Sequence, residues 1–78
     1  MTQEDVFAGL KEVIGIIRPD TDLTNVTLDT ELTRGLGIDS LSMMLLALAI
    51  EEKFKMRFPS NAAPVTVRDV CDIVLSAL

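Results

Sequence analysis

The sequence predicts an all-α fold: a single domain over residues 1–78, a small bundle of three main helices plus a short one, with a long loop between the first two main helices. Three observations carry this prediction. Apolar residues recur at intervals of three and four in three separate stretches, which places them on one face of a helix. Each stretch follows a Thr or Asp suited to accept the first free backbone N–H groups of a helix. A length of 78 residues supports one modest core, but neither a second domain nor a deep self-sufficient active site.

The first helix is expected over about residues 3–17. Thr2 caps it, and Glu4 and Asp5 in the first turn complement the helix dipole. Phe7, Leu10, Ile14 and Ile17, joined by Val6 and Val13, form its apolar face until Arg18-Pro19 stops the run. From Pro19 to Ile38 no helical or strand period fits, although Leu23, Val26, Leu28, Leu32, Leu36 and Ile38 are scattered through the segment. Those residues can pin the loop across the bundle, with a short helical turn near Thr30 to Thr33.

Asp39 is a good N-cap for the central helix, and Gly35 and Gly37 let the chain turn sharply before it. This helix should run from about Ser40 to Lys55. Met43, Leu46, Ala47, Ile50 and Phe54 share one side, the expected core face. Leu41, Met44, Leu45 and Leu48 fall on another side, next to Ser40, and lead into Glu51, Glu52 and Lys55. Phe58 to Pro64 reads as a turn with at most one helical turn inside it. Thr66 and Asp69 then form an approximate capping box for the last helix, carried by Val67, Val70, Cys71, Val74 and Leu78.

Composition narrows the function. A net charge of −5 argues against nucleic acid or an anionic membrane surface as partner, because both demand a cationic face. The acidity is one-sided: residues 1–39 hold eight acids and three bases, residues 40–78 four of each. The apolar stretch Leu41 to Ile50 is about half as long as a bilayer-spanning helix. Met1 to Asp5 lacks the pattern of a secretory signal and the lone cysteine cannot form an internal disulfide, so the cytoplasm is the expected compartment. Cys71, among Val67, Val70 and Val74, is expected to be buried and inert. Asp20, Asp22, Asp29 and Glu31 match no calcium-loop spacing, and no metal site is expected.

Chemistry concentrates at Gly37-Ile38-Asp39-Ser40-Leu41, which presents one serine at the first turn of the central helix. The chain has no histidine, so the Ser40 hydroxyl lacks the imidazole that a hydrolase triad would use. A serine that becomes modified fits better than a nucleophile in turnover, and the chain is not expected to be an enzyme. Ser42 is read as a structural bystander.

Gly37-Ile38-Asp39-Ser40-Leu41 resembles the Asp-Ser-Leu attachment motif of acyl carrier proteins. The resemblance continues through the first helix, the long loop, Glu51-Glu52 with Phe54 near the end of the central helix, and a Thr-capped last helix. It implies an acyl-carrier-like bundle in which Ser40 accepts a 4′-phosphopantetheine arm from coenzyme A, transferred by a separate phosphopantetheinyl transferase. The arm's thiol would hold acyl groups as thioesters for loading, condensing and other acyl-processing enzymes of fatty acid, lipid or polyketide biosynthesis. Asp39 and Leu41 would flank the attachment point, with Asp39 capping the helix and orienting the transferase. In such carriers the bundle can also shelter the acyl chain, here among Met43, Leu46, Ala47 and Ile50.

One departure qualifies the resemblance. Carriers of fatty acid synthesis scatter acids along the exposed face of this helix, whereas here Leu41, Met44, Leu45 and Leu48 precede the first acids, Glu51 and Glu52. These six residues form the expected partner-binding face, more apolar and less salt-sensitive than is usual for the family. The chain is expected to be a monomer with weak self-association through that face. A dedicated aminoacyl or peptidyl carrier, or an unmodified helical adaptor docking through the same face, are the alternatives.

Overall fold

The computed structural model describes residues 1–78 and contains four helices: α1 (Gln3–Ile17), α2 (Leu32–Leu36), α3 (Ser40–Phe54) and α4 (Val67–Ala77). Helix α1 packs against both α3 and α4, and all four helices contribute to one apolar core. The predicted all-helical architecture is the one observed.

Local chemistry sets the helix ends. At α1, the Thr2 hydroxyl accepts the Asp5 N–H at 3.2 Å while the Asp5 carboxylate accepts the Thr2 N–H at 3.1 Å, a reciprocal cap that satisfies two donors otherwise lacking partners. Helix α4 opens in the same way. The Thr66 hydroxyl accepts the Asp69 N–H at 3.2 Å, and the Asp69 carboxylate accepts from both Thr66 and Val65. Helix α1 ends at Arg18, immediately before Pro19, because the residue preceding a proline is pushed out of the helical region.

Helices α1 and α3 approach closely enough that a Cβ on Gly9 would lie 2.8 Å from Cζ of Phe54, so only glycine fits at the crossing without displacement. Lys53 and Glu12 pair across the same interface at 3.0 Å, an exposed contact worth at most about 1 kcal/mol. Apolar burial stabilises this interface more, through Val6, Leu10, Val13 and Ile14 of α1 against Leu46, Ile50 and Phe54 of α3. Phe7 and Ile17, assigned to the same face by spacing, are only partly buried at its margins.

The long segment after α1 is pinned by both its side chains and its backbone. Val26 and Leu32 are buried and Leu23 and Leu28 pack against the core. Its backbone also binds the start of α4: Leu32 N–H donates to Val65 O at 2.8 Å, Val67 N–H to Thr30 O at 3.0 Å, and Arg68 N–H to Leu28 O at 2.8 Å. Arg68 adds an ion pair to Asp29 at 3.0 Å. The short helix expected near Thr30 to Thr33 forms slightly later, at Leu32–Leu36, because the backbone up to Leu32 is engaged in this pairing.

Other boundaries also shift. Helix α3 stops at Phe54, and Lys55 takes a left-handed conformation at φ 54°, turning the chain back across α3. Residues 56–64 contain no helix, only a single turn in which the Ala62 N–H donates to Pro59 O at 3.1 Å, in keeping with the turn expected there. Leu78, placed by spacing on the core face of the last helix, lies beyond its end and is exposed.

Leu32 should therefore be the anchor of the long loop. Leu32→Ala is expected to lower the unfolding free energy by about 3 kcal/mol, a large fraction of a small domain's total, whereas exposed Leu48→Ala should change it by less than about 0.5 kcal/mol. Urea denaturation followed by circular dichroism checks both, and equal effects would show that the loop is not held by this side chain.

Candidate modification site at the head of the central helix

The site is built by one turn and one cap. Gly37 ends α2 in the left-handed region at φ 68°, a conformation that a side chain would strain. Its N–H donates to Thr33 O at 3.1 Å, and the next amide, Ile38, donates to Leu32 O at 3.0 Å. Ile38 is buried, which fixes the direction in which the chain enters α3. Asp39 is extended, and its carboxylate accepts the Ser42 N–H at 2.8 Å. Ser40 is then the first helical residue, exposed at the helix's N-terminal end.

Electrostatics at this end are mixed. The Ser42 amide, followed by the Ser42 side chain, holds the Asp39 carboxyl below the ordinary carboxylate range against the opposing effect of desolvation, and the charge of Arg18 adds a lesser lowering. A full negative charge therefore stands next to Ser40 at neutral pH. Opposing it are the leading N–H groups of α3, which have no acceptor within their own helix and carry the positive end of its dipole. Arg18 approaches from the end of α1: its Nη2 lies 3.6 Å from the position a Cβ on Gly37 would occupy.

Two depressions meet beside the serine. A cleft of about 380 Å³ is lined by Thr33, Ile38, Asp39, Ser40 and Met43. Met43 is also a wall of a larger groove, about 480 Å³, between α3 and the returning segment, lined by Met44, Ala47, Leu48, Phe58, Pro59 and Pro64 among others. Glu51 lies at the groove's margin, where its carboxylate accepts the Phe58 N–H at 2.7 Å and ties the segment to the helix.

The expected core face of α3 splits accordingly. Leu46, Ile50 and Phe54 are buried, but Met43 and Ala47 are only partly covered and face the groove. Leu41, Met44, Leu45 and Leu48 are exposed by 68, 66, 48 and 61 %, and Met44 and Leu48 also line the groove. Glu52 is exposed beside them and pairs with Lys55 at 3.6 Å. Glu51 differs from Glu52 in that its carboxylate is engaged by the Phe58 amide, beside Met44 and Leu48 in the groove lining. Cys71 lies in the core, where burial pushes its thiol up.

Sequence reasoning misses two participants. The segment 58–64 supplies the second wall of the groove, and the signal for it is the Pro-flanked apolar composition of a stretch too broken for a helix. Arg18 reads in the sequence only as a helix stop. Its position beside the turn follows from α1 ending near the start of α3, which no local pattern encodes.

Comparison with known proteins agrees with this geometry. The family model described as "Phosphopantetheine attachment site" matches residues 4–74. The acyl carrier protein of Renibacterium salmoninarum is 38 % identical over 80 aligned residues, covering 97 % of this chain and 95 % of that protein. That of Arthrobacter sp. (strain FB24) is 36 % identical with the same coverage, and that of Helicobacter acinonychis is 37 % identical over 71 residues, 91 % of this chain and 83 % of its own. The chain belongs to the acyl carrier protein family and serves as a carrier with a covalently attached 4′-phosphopantetheine.

Proposed function

We propose that Ser40 is the residue that bears the phosphopantetheine arm and that the chain itself catalyses no reaction. The observation that carries this reading is an exposed serine as first residue of a 15-residue helix, held there by the Gly37 turn and the Asp39 cap, in a chain without histidine. Ser40 Oγ attacks the phosphate of coenzyme A that carries the pantetheine. A new P–O bond forms, the pyrophosphate bond to the nucleotide breaks, and the serine proton leaves to a base on the transferase. The bound arm supplies a thiol that holds acyl groups as thioesters. Asp39 positions Ser40 through the cap, and the leading amides of α3 offset the phosphodiester's charge.

The partners in this reading are a phosphopantetheinyl transferase and enzymes that load, extend or transfer acyl groups of the fatty acid or polyketide kind. The cytoplasm, where coenzyme A is found, is the proposed compartment. No helix is long and apolar enough to cross a membrane. Docking is proposed through Leu41, Met44, Leu45 and Leu48, with Leu41 next to the attachment point and Glu52 at the rim. The groove lined by Met43, Ala47, Phe58 and Pro64 is the proposed resting place of the acyl chain, its volume lying within the range of small-molecule sites.

Three outcomes test these assignments. Intact mass after incubation with coenzyme A and a broad-specificity phosphopantetheinyl transferase should rise by one arm in the natural chain and not in Ser40→Ala; a gain in both would move the attachment point elsewhere. In transferase kinetics, KM for the carrier should vary by less than about threefold between about 50 and 500 mM salt, while Leu48→Ser should raise it about tenfold, the loss of an apolar anchor of ~1.4 kcal/mol. A steep salt response with no effect of Leu48→Ser would refute apolar docking. Ala47→Phe, which fills the groove, should leave arm attachment unchanged yet let an eight-carbon acyl thioester hydrolyse as fast as an acetyl one. Retained protection of the longer chain would place the cargo outside the groove.

A further inference from the structure

Attachment of the arm at Ser40 creates an electrostatic conflict that the helix end resolves only in part. The phosphodiester adds a negative charge one residue from the Asp39 carboxylate, at the edge of the half of the chain, residues 1–39, that carries a net −5. Asp39 cannot easily protonate to relieve this, because its hydrogen bond from Ser42 favours the ionised form.

Most cations lie elsewhere or are engaged, and Arg34, exposed in the last turn of α2 and in no ion pair, brings no atom within 4 Å of the Cβ position of Gly37. Lys53 and Lys55 stand at the far end of α3, about 20 Å along a 15-residue helix from Ser40, and Arg57 follows beyond that end. Lys53 is paired with Glu12 and Arg68 with Asp29, each at 3.0 Å, and Lys11 lies over the Phe7 ring. Arg18 differs in both respects. Its guanidinium Nη2 reaches the Gly37 turn, its charge is felt at Asp39, and its one ion pair is a long 3.9 Å contact from Nε to the exposed Asp20. Its Nη donors thus face the turn that leads into Ser40 and are not spent on the acid.

We infer that Arg18 is a positioning residue for the arm: once Ser40 is modified, its guanidinium pairs with the phosphodiester oxygens, offsets Asp39 and holds the first bonds of the arm toward the α1 side of the cleft. The assignment rests on Ser40 being the attachment point. A planar guanidinium suits this task because it can offer two parallel N–H donors to one phosphate while remaining charged at any pH the protein meets. The Asp20 contact that the pair would replace is long and solvent-exposed, so giving it up costs little.

The test is phosphorus-31 NMR of the intact modified chain as natural protein, Arg18→Gln, Arg18→Lys and Arg34→Gln. The natural protein's phosphodiester resonance should lie away from that of free 4′-phosphopantetheine esterified to a serine peptide. It should move toward that reference as salt rises from about 10 mM to 1 M, where the screening length drops from ~30 Å to ~3 Å. Arg18→Gln should take the resonance to the reference and abolish its salt response, Arg18→Lys should restore part of both, and Arg34→Gln should leave them unchanged. Thermal melting of each variant checks that the fold persists. A resonance that is insensitive to salt in the natural protein, or one shifted by Arg34→Gln and not by Arg18→Gln, overturns the inference even if Arg18→Gln folds poorly. If the natural protein takes up no arm there is no resonance to observe, and the Ser40 assignment falls together with the inference. An arm that is present but indifferent to Arg18 defeats the inference alone.

Discussion

The structure depends on the pairing of the long loop with the start of α4. Three backbone hydrogen bonds, from Leu32 to Val65, Val67 to Thr30 and Arg68 to Leu28, fasten a segment that has no periodic structure of its own. Ordering those residues costs conformational entropy, about 1–2 kcal/mol per residue for the backbone alone, and the bundle could not recover it without buried side chains in the same stretch. Val26 and Leu32 supply them, with Leu28 packed against the core. Everything downstream inherits this anchor: Leu32 begins α2, α2 ends in the left-handed Gly37, and Gly37 aims the chain at Asp39 and Ser40.

Much of this is legible in the residues. The Thr2 and Thr66 caps, the proline stop after Arg18, and the Asp39 cap are local chemistry, and each acts where the sequence places it. What stays hidden depends on contacts between distant segments. The start of α2 is displaced because Thr30 and Leu32 pair with residues more than thirty positions away. Spacing groups Met43 and Ala47 with the core, yet spacing cannot tell a core face from a groove whose opposite wall is an irregular segment such as 58–64. Adjacency groups Glu51 with Glu52, and the Phe58 amide separates them. Leu78 continues the apolar periodicity of α4, which does not report where the last turn frays.

Helix α3 also shows why one apolar element can carry several tasks. Successive residues are about 100° apart, so Leu46 and Ile50 can face the core, Met43 and Ala47 the groove, and Leu41 and Leu45 the outside, while Met44 and Leu48 border both groove and outer face. Four large exposed apolar side chains on neighbouring turns are more than scattered surface residues, and such a patch on a small protein marks a contact surface. The family match sets aside the idea of an unmodified adaptor, and docking remains the proposed task of this surface.

Ser40 stands near both surfaces, with Met43 on the groove side, Leu41 on the outer side and Met44 bordering both. An arm rooted there has two apolar environments within reach, one on its own carrier and one on a docked partner. Full burial of an acyl chain would stabilise it by about 0.8 kcal/mol per methylene, so a closed cavity would retain a medium-length cargo by several kcal/mol and oppose its transfer. A groove walled on one side by the segment 58–64, fastened to α3 through Glu51 and otherwise open, covers only part of that surface. Partial cover is the arrangement a carrier requires: enough apolar contact to shield a thioester from water, and little enough that a partner's apolar site can win the chain. The residues around the serine suit the same passivity, since the chain has no histidine and the Asp39 carboxylate is engaged by the Ser42 amide, so no imidazole stands ready to activate water against the arm's linkage.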